Sequence, residues 1–234
     1  MFESVVLASA ACAAALKQAG EAAPSPPPQY HVSGEIVLVS DYRRGGATQS
    51  DGDPALQGRI DIRHDSGWSV GAFASSMNGR RGSNAQVSLF GARRFEFGEA
   101  DLSLGASAVI FLGGDADPFV IAQASVAHPI GPVDATLAVN YAPPQASLGG
   151  EHGLGVGLRA RTPLGRVNGA PLTAAASVGW SEGDFAMGAG TKFDWSLGVS
   201  AEIEGVEIGL AYVDNDLDDE RGEAGLVFSI AHRF

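Results

Sequence analysis

The sequence predicts an all-β chain forming a single closed antiparallel transmembrane β-barrel of about 12 strands. From Val32 onward, apolar residues alternate with small or polar ones in stretches of about nine to eleven residues, the length of a tilted strand crossing hydrocarbon. Aromatic residues gather where those stretches end, and the chain finishes on Phe234 with Leu226, Phe228 and Ile230 at period two before it.

Composition supports the β reading. Among 234 residues there are 32 Gly, many of them inside the apolar stretches, where each would cost a helix roughly 0.5–1 kcal/mol relative to Ala. The net charge of -12, without a cluster of Lys and Arg, argues against a nucleic-acid partner. Cys12 is the only cysteine, so a chain processed after it has neither a disulfide nor a thiolate site.

Residues 1–23 read as a signal-peptide-like leader built on the apolar run Val5 to Leu16, although the first positive charge, Lys17, follows that run. Residues 24–31 read as a Pro-rich spacer, and 32–234 as the barrel. No later segment has the 18 or more apolar residues that a spanning helix needs, so any membrane crossing must be made by a closed barrel.

Leu56 to His64 shows the alternation best: Leu56, Gly58, Ile60 and Ile62 fall on one face, and Gln57, Arg59, Asp61 and Arg63 on the other. The first strand is expected over Val32 to Tyr42 and the last over Leu226 to Phe234. An even strand number brings both termini to one side, with short turns such as Asp65 to Gly67 and Glu204-Gly205, and a longer one over Pro163 to Pro171. Longer outer loops are expected at Arg43 to Pro54, Met77 to Asn84, Leu112 to Pro118, Ala142 to Gly153, Ser181 to Asp194 and Asp214 to Glu223. Tyr42, Phe111, Phe119, Tyr141, Trp180, Trp195 and Tyr212 are expected in an outer aromatic belt, and Trp68, Phe95, Phe97 and Phe234 in an inner one.

The segment Val39 to Met77 carries Ser40-Asp41-Tyr42-Arg43, Gly46, Gln49-Ser50, Asp53-Pro54-Ala55, Gln57-Gly58 and Ser66-Gly67-Trp68 in an order and spacing that resembles the opening of the TorF porin family. Arg44-Gly45, Phe73 and Ser76 depart from that pattern, and residue matching fades after Met77. The resemblance implies an outer-membrane barrel of a Gram-negative bacterium. The terminal Phe228, Ile230 and Phe234 likewise resemble the signature read by the barrel-assembly machinery, which implies delivery past periplasmic chaperones.

No constellation points to catalysis, a metal or a cofactor. The five His residues lack paired ligand spacing, Ser125 and His128 fall on opposite faces of one strand, and Gly153, Gly155 and Gly157 lie within a strand rather than in a phosphate-binding turn. The acidic run Asp214 to Glu223 lacks the EF-hand pattern and reads as a solvated loop. What remains are the charges expected to face inward: Arg59, Asp61, Arg63, Arg94, Arg159, Arg161, Glu202 and Glu207. Water around them means a channel for small polar or charged solutes, whereas complete mutual pairing means a closed structural or adhesive barrel whose acidic outer loops bind cations.

Overall fold

The computed structural model describes residues 29–234, so the expected leader and most of the spacer lie outside the described residues. In chain order the strands are β1 (Tyr30–Val39), β2 (Arg43–Arg44), β3 (Ala47–Thr48), β4 (Ala55–His64), β5 (Trp68–Ser76), β6 (Ala85–Phe97), β7 (Ala100–Leu112), β8 (Phe119–Ile130), β9 (Val133–Ala142), β10 (Gly153–Val167), β11 (Ala170–Gly183), β12 (Thr191–Ile203), β13 (Val206–Asn215) and β14 (Gly225–Arg233). Among the described residues, twelve of these close one antiparallel barrel, and β2 and β3 form a separate small ribbon. Closure runs through β1, which pairs with β4 on one side and β14 on the other. Beyond β14, Gly34 and Phe234 exchange backbone hydrogen bonds of 2.7 and 3.0 Å, and the Phe234 ring covers Gly34 so closely that a Cβ there would meet it at 2.5 Å.

Both ends of the barrel wall lie at the side of the short turns, as the even count requires. Asn168-Gly169 and Glu204-Gly205 have positive φ at both residues (51° and 87°, 52° and 80°), the type I′ geometry whose twist matches paired strands. The long turn expected over Pro163 to Pro171 is therefore replaced by a two-residue one. β10 runs on through Pro163 because a register shift between Pro163 and Gly165 bulges Leu164 out of the ladder.

The alternation sorts side chains as period two demands. On β4, Leu56, Ile60 and Ile62 are exposed on the outer wall, while Asp61 is 4% exposed inside. The same outward band includes Leu104, Leu137, Leu158, Leu197, Leu210 and Phe228. An apolar girdle of this extent around a closed hydrogen-bonded cylinder is stable only against hydrocarbon. No helix among the described residues is long and apolar enough to cross a membrane.

Four aromatics of the expected outer belt, Tyr141, Trp180, Trp195 and Tyr212, face outward, with Trp68, Phe97 and Phe234 outward at the other end. Tyr42, Phe111 and Phe119 do not: they are 5%, 8% and 3% exposed inside the barrel. Strand parity decides this for the two phenylalanines, since Phe111 shares the inward face of Ser107 and Val109 while Leu112 takes the outward place. Tyr42 leaves the wall altogether, because β1 ends at Val39.

Leu137 sits mid-strand on the outer wall, and Ile130 sits beside a turn. L137R should cost roughly 2–4 kcal/mol in denaturant unfolding from phospholipid vesicles, and I130R roughly 0–1 kcal/mol. Equal, near-zero costs at both positions would contradict a lipid-facing wall.

Candidate functional site

Side-chain size divides the lumen. On β5 to β8 several inward positions are large: Phe73, Phe90, Val109, Phe111, Phe119 and Ile121 pack with Tyr42 and Leu148 into an apolar cluster inside the barrel. On β10 to β14 they are small, including Gly155, Gly157, Ser177, Gly179, Gly198, Gly209 and Ala211. Gly179 is held small by its neighbour, since a Cβ there would lie 2.7 Å from a carboxylate oxygen of Asp194. The space left on that side is an off-centre cavity of about 240 Å³. It is smaller than the roughly 300–1,000 Å³ of pockets for drug-sized ligands, so it suits small solutes.

The loop between β1 and β4 turns into the lumen as a strap. Asp41 organises it: one carboxylate oxygen accepts from Arg43 Nε at 2.6 Å, and the other accepts from the hydroxyls of Thr48 (2.6 Å) and Ser50 (3.1 Å). Ser50 Oγ accepts from the Tyr42 amide at 2.9 Å, and the amide of Gln49 donates to the Tyr42 carbonyl at 2.6 Å, closing the base. The tip reaches β12, three strands round the barrel from β1. Lys192 of β12, 2% exposed, donates to the Gly45 carbonyl and pairs with Asp194 at 3.2 Å. Arg44 donates to Gln86 of β6, and Arg43 to the carbonyl of Glu223. Gly46, at φ 76°, presses against the Asp214 carbonyl, where a Cβ would come within 2.6 Å. Ala47 is fully buried.

Below the strap runs a belt of alternating charge. Asp61 pairs with Arg59 at 2.6 Å, and the Arg59 guanidinium lies 4.2 Å from the Phe90 ring centre. Glu35 stands opposite Arg59 in the β1–β4 register and opposite Arg233 in the β1–β14 register. Arg233 bonds Glu35 at 2.8 Å and Glu207 at 3.1 Å, and Arg161 reaches from β10 to within 3.8 Å of Glu207 on β13. Arg159 lines the cavity two residues nearer the strap.

Of the charges expected to face inward, Arg59, Arg159, Arg161 and Glu207 line the cavity, with Asp61 beside them. Arg63, Arg94 and Glu202 lie nearer the turn end and outside the cavity lining; Arg94 pairs with Asp101 at 2.6 Å, and Glu202 stands opposite Glu207. Glu35, Asp41, Arg43 and Arg233 were missed, yet they complete the lining. Parity signals the inward placement of Glu35 and Arg233, which share faces with Val37 and Ala231. Asp41 and Arg43 give no such signal, because their loop has no periodicity.

The other candidates separate. Ser125 faces the lumen and His128 the outside. In the acidic outer loop, Asp216 accepts from the Phe193 amide at 2.8 Å, and Asp219 accepts from the amides of Arg221 and Gly222 at the start of a short 3-10 turn. The Arg221 side chain on Asp219 holds that carboxyl below its ordinary range.

Several solved barrels share this architecture. The KdgM porin superposes with a TM-score of 0.56 at 8% identity, covering 86% of this chain and 98% of that one. The KdgM porin in complex with disordered oligogalacturonate gives 0.54 at 8% identity over 87% and 97%, and the NanC porin gives 0.52 at 10% identity over 86% and 98%. At such identities the likeness is one of fold. No curated protein matches the sequence. Residues 21–233 match the family Gcw_chp, described as a bacterial protein of unknown function.

With side chains 7% and 6% exposed, Arg59 and Asp61 form a pair whose breaking takes from a buried guanidinium the carboxylate that it meets at 2.6 Å. D61A should lower unfolding stability by about 3–5 kcal/mol in detergent or lipid. A loss below about 1 kcal/mol would mean that water screens the pair as it does at a surface.

Proposed function

We propose that this chain, which belongs to the Gcw_chp family of bacterial proteins of unknown function, is a narrow diffusion channel of the Gram-negative outer membrane for small polar or charged solutes. The observation that carries this reading is the unfilled, charge-lined cavity inside a cylinder whose outer wall is apolar. Charged side chains are tolerable in a barrel interior where water reaches them. Arg59, Arg159, Arg161 and Glu207 are its pore-lining charges, joined by Glu35, Arg43 and Arg233. The channel is not an enzyme and carries no cofactor. The similarly folded KdgM and NanC barrels are porins, and the resemblance of residues 39–77 to the TorF porins supports the same reading.

Phe228, Ile230 and Phe234 serve as the assembly signal, with outer-membrane lipid, periplasmic chaperones and the barrel-assembly machinery as partners. Phe234 also covers the seam between the first and last barrel strands, so F234A should reduce the heat-modifiable protein recovered from outer membranes severalfold. Unchanged recovery would remove both roles.

A barrel held shut by its strap is the second reading, favoured by the sealed positions of Ala47 and Lys192. Because the Gln49 amide bonds the Tyr42 carbonyl, a two-residue Asn-Gly turn can replace residues 43–48 without moving the wall. In planar bilayers the natural chain should show small, steady single-channel steps, and the shortened chain steps severalfold larger. Current only from the shortened chain would favour the shut barrel; current from neither would remove the channel.

A further inference from the structure

The cavity between strap and belt has a charge opposite to that of the chain. Five arginines line it against three carboxylates, and counting Asp61, the partner of Arg59, still leaves a positive excess, whereas the whole chain carries -12. The acids are also the more fully occupied partners. Asp41 takes three hydrogen bonds within the strap, Glu35 takes a hydrogen bond from Arg233, and Glu207 accepts from Arg233 through both of its oxygens.

A guanidinium has five N–H donors and no acceptor, so an arginine that satisfies one carboxylate still has hydrogens to offer. Arg161 stands 3.8 Å from Glu207, beyond hydrogen-bond length, on the small-residue side where the space is. Arg159 extends the same inward face two residues toward the strap.

We infer that this cavity is an anion-selecting site that takes small carboxylates, which the forked N–H groups of arginine match in geometry. The inference rests on the channel reading and specifies its solute. Two acids outside the lining adjoin it, Asp134 opposite Arg161 and Glu202 opposite Glu207, both toward the turn end; acids farther than roughly 10 Å are largely screened at about 0.1 M salt.

The test is the reversal potential of the purified full-length chain in planar bilayers under a KCl gradient, repeated with potassium acetate. The natural chain should prefer chloride over potassium, and acetate should give a reversal of the same sign. R161Q and R159Q, each first shown to retain heat-modifiable mobility, should lower the anion preference about fivefold, the factor expected from one unit charge about 4 Å from a passing ion in water. The preference should shrink as salt rises toward about 1 M, where the screening length is near 3 Å.

A potassium preference, or a ratio unmoved by both variants, overturns the inference while leaving a channel in place. Chloride current without acetate current overturns the carboxylate assignment. Absence of current from both the natural and the strap-shortened chains removes the channel and this inference with it.

Discussion

Everything in the molecule depends on closure of the backbone ladder at one seam. A sheet among acyl chains cannot leave an edge, since each unpaired amide or carbonyl there costs several kcal/mol and no water is present to meet it. Here the seam lies between β1 and β14, and the last residue completes it by exchanging two hydrogen bonds with Gly34 beneath its own ring. Once the ring is closed, outward positions belong to the hydrocarbon and inward positions are free to be charged, small or aromatic. The functional character of the protein is therefore carried by the inward half of each strand.

That inward half is used unevenly. Bulky residues on β5 to β8 pack with Tyr42 into an internal core, and small ones on β10 to β14 leave a cavity. The strap joins the two regions, with Tyr42 in the apolar cluster and its tip against Lys192 of β12. Its placement gives the motif-rich segment 39–77 a physical meaning: Asp41, Arg43, Gly46 and Ser50 are the residues that fold the loop inward and hold it.

The wall was legible because period two is a strong signal. Leu56 to His64 could be assigned face by face, and Arg59, Arg161 and Glu207 could be turned inward by counting along their strands. Prolines and glycines misled where a strand bulges, as at Pro163 to Gly165, because the same residues mark a turn and a kink. Phe111 and Phe119 sit at strand ends, where position suggests an interfacial belt, but parity turns them inward. The strap was invisible: its short ribbon and the bonds around Asp41 arise from contacts between segments far apart in sequence, including one from Lys192 to Gly45.

The glycine-rich wall has a consequence for how such a barrel can diversify. Where Gly155, Gly157, Gly179, Gly198 and Gly209 face inward there is no side chain left to trim at those positions. Every substitution there narrows it. A larger interior must come instead from the strap, the charged side chains or the aromatic cluster, and eroding the last gives up the packing that steadies the inside of the cylinder.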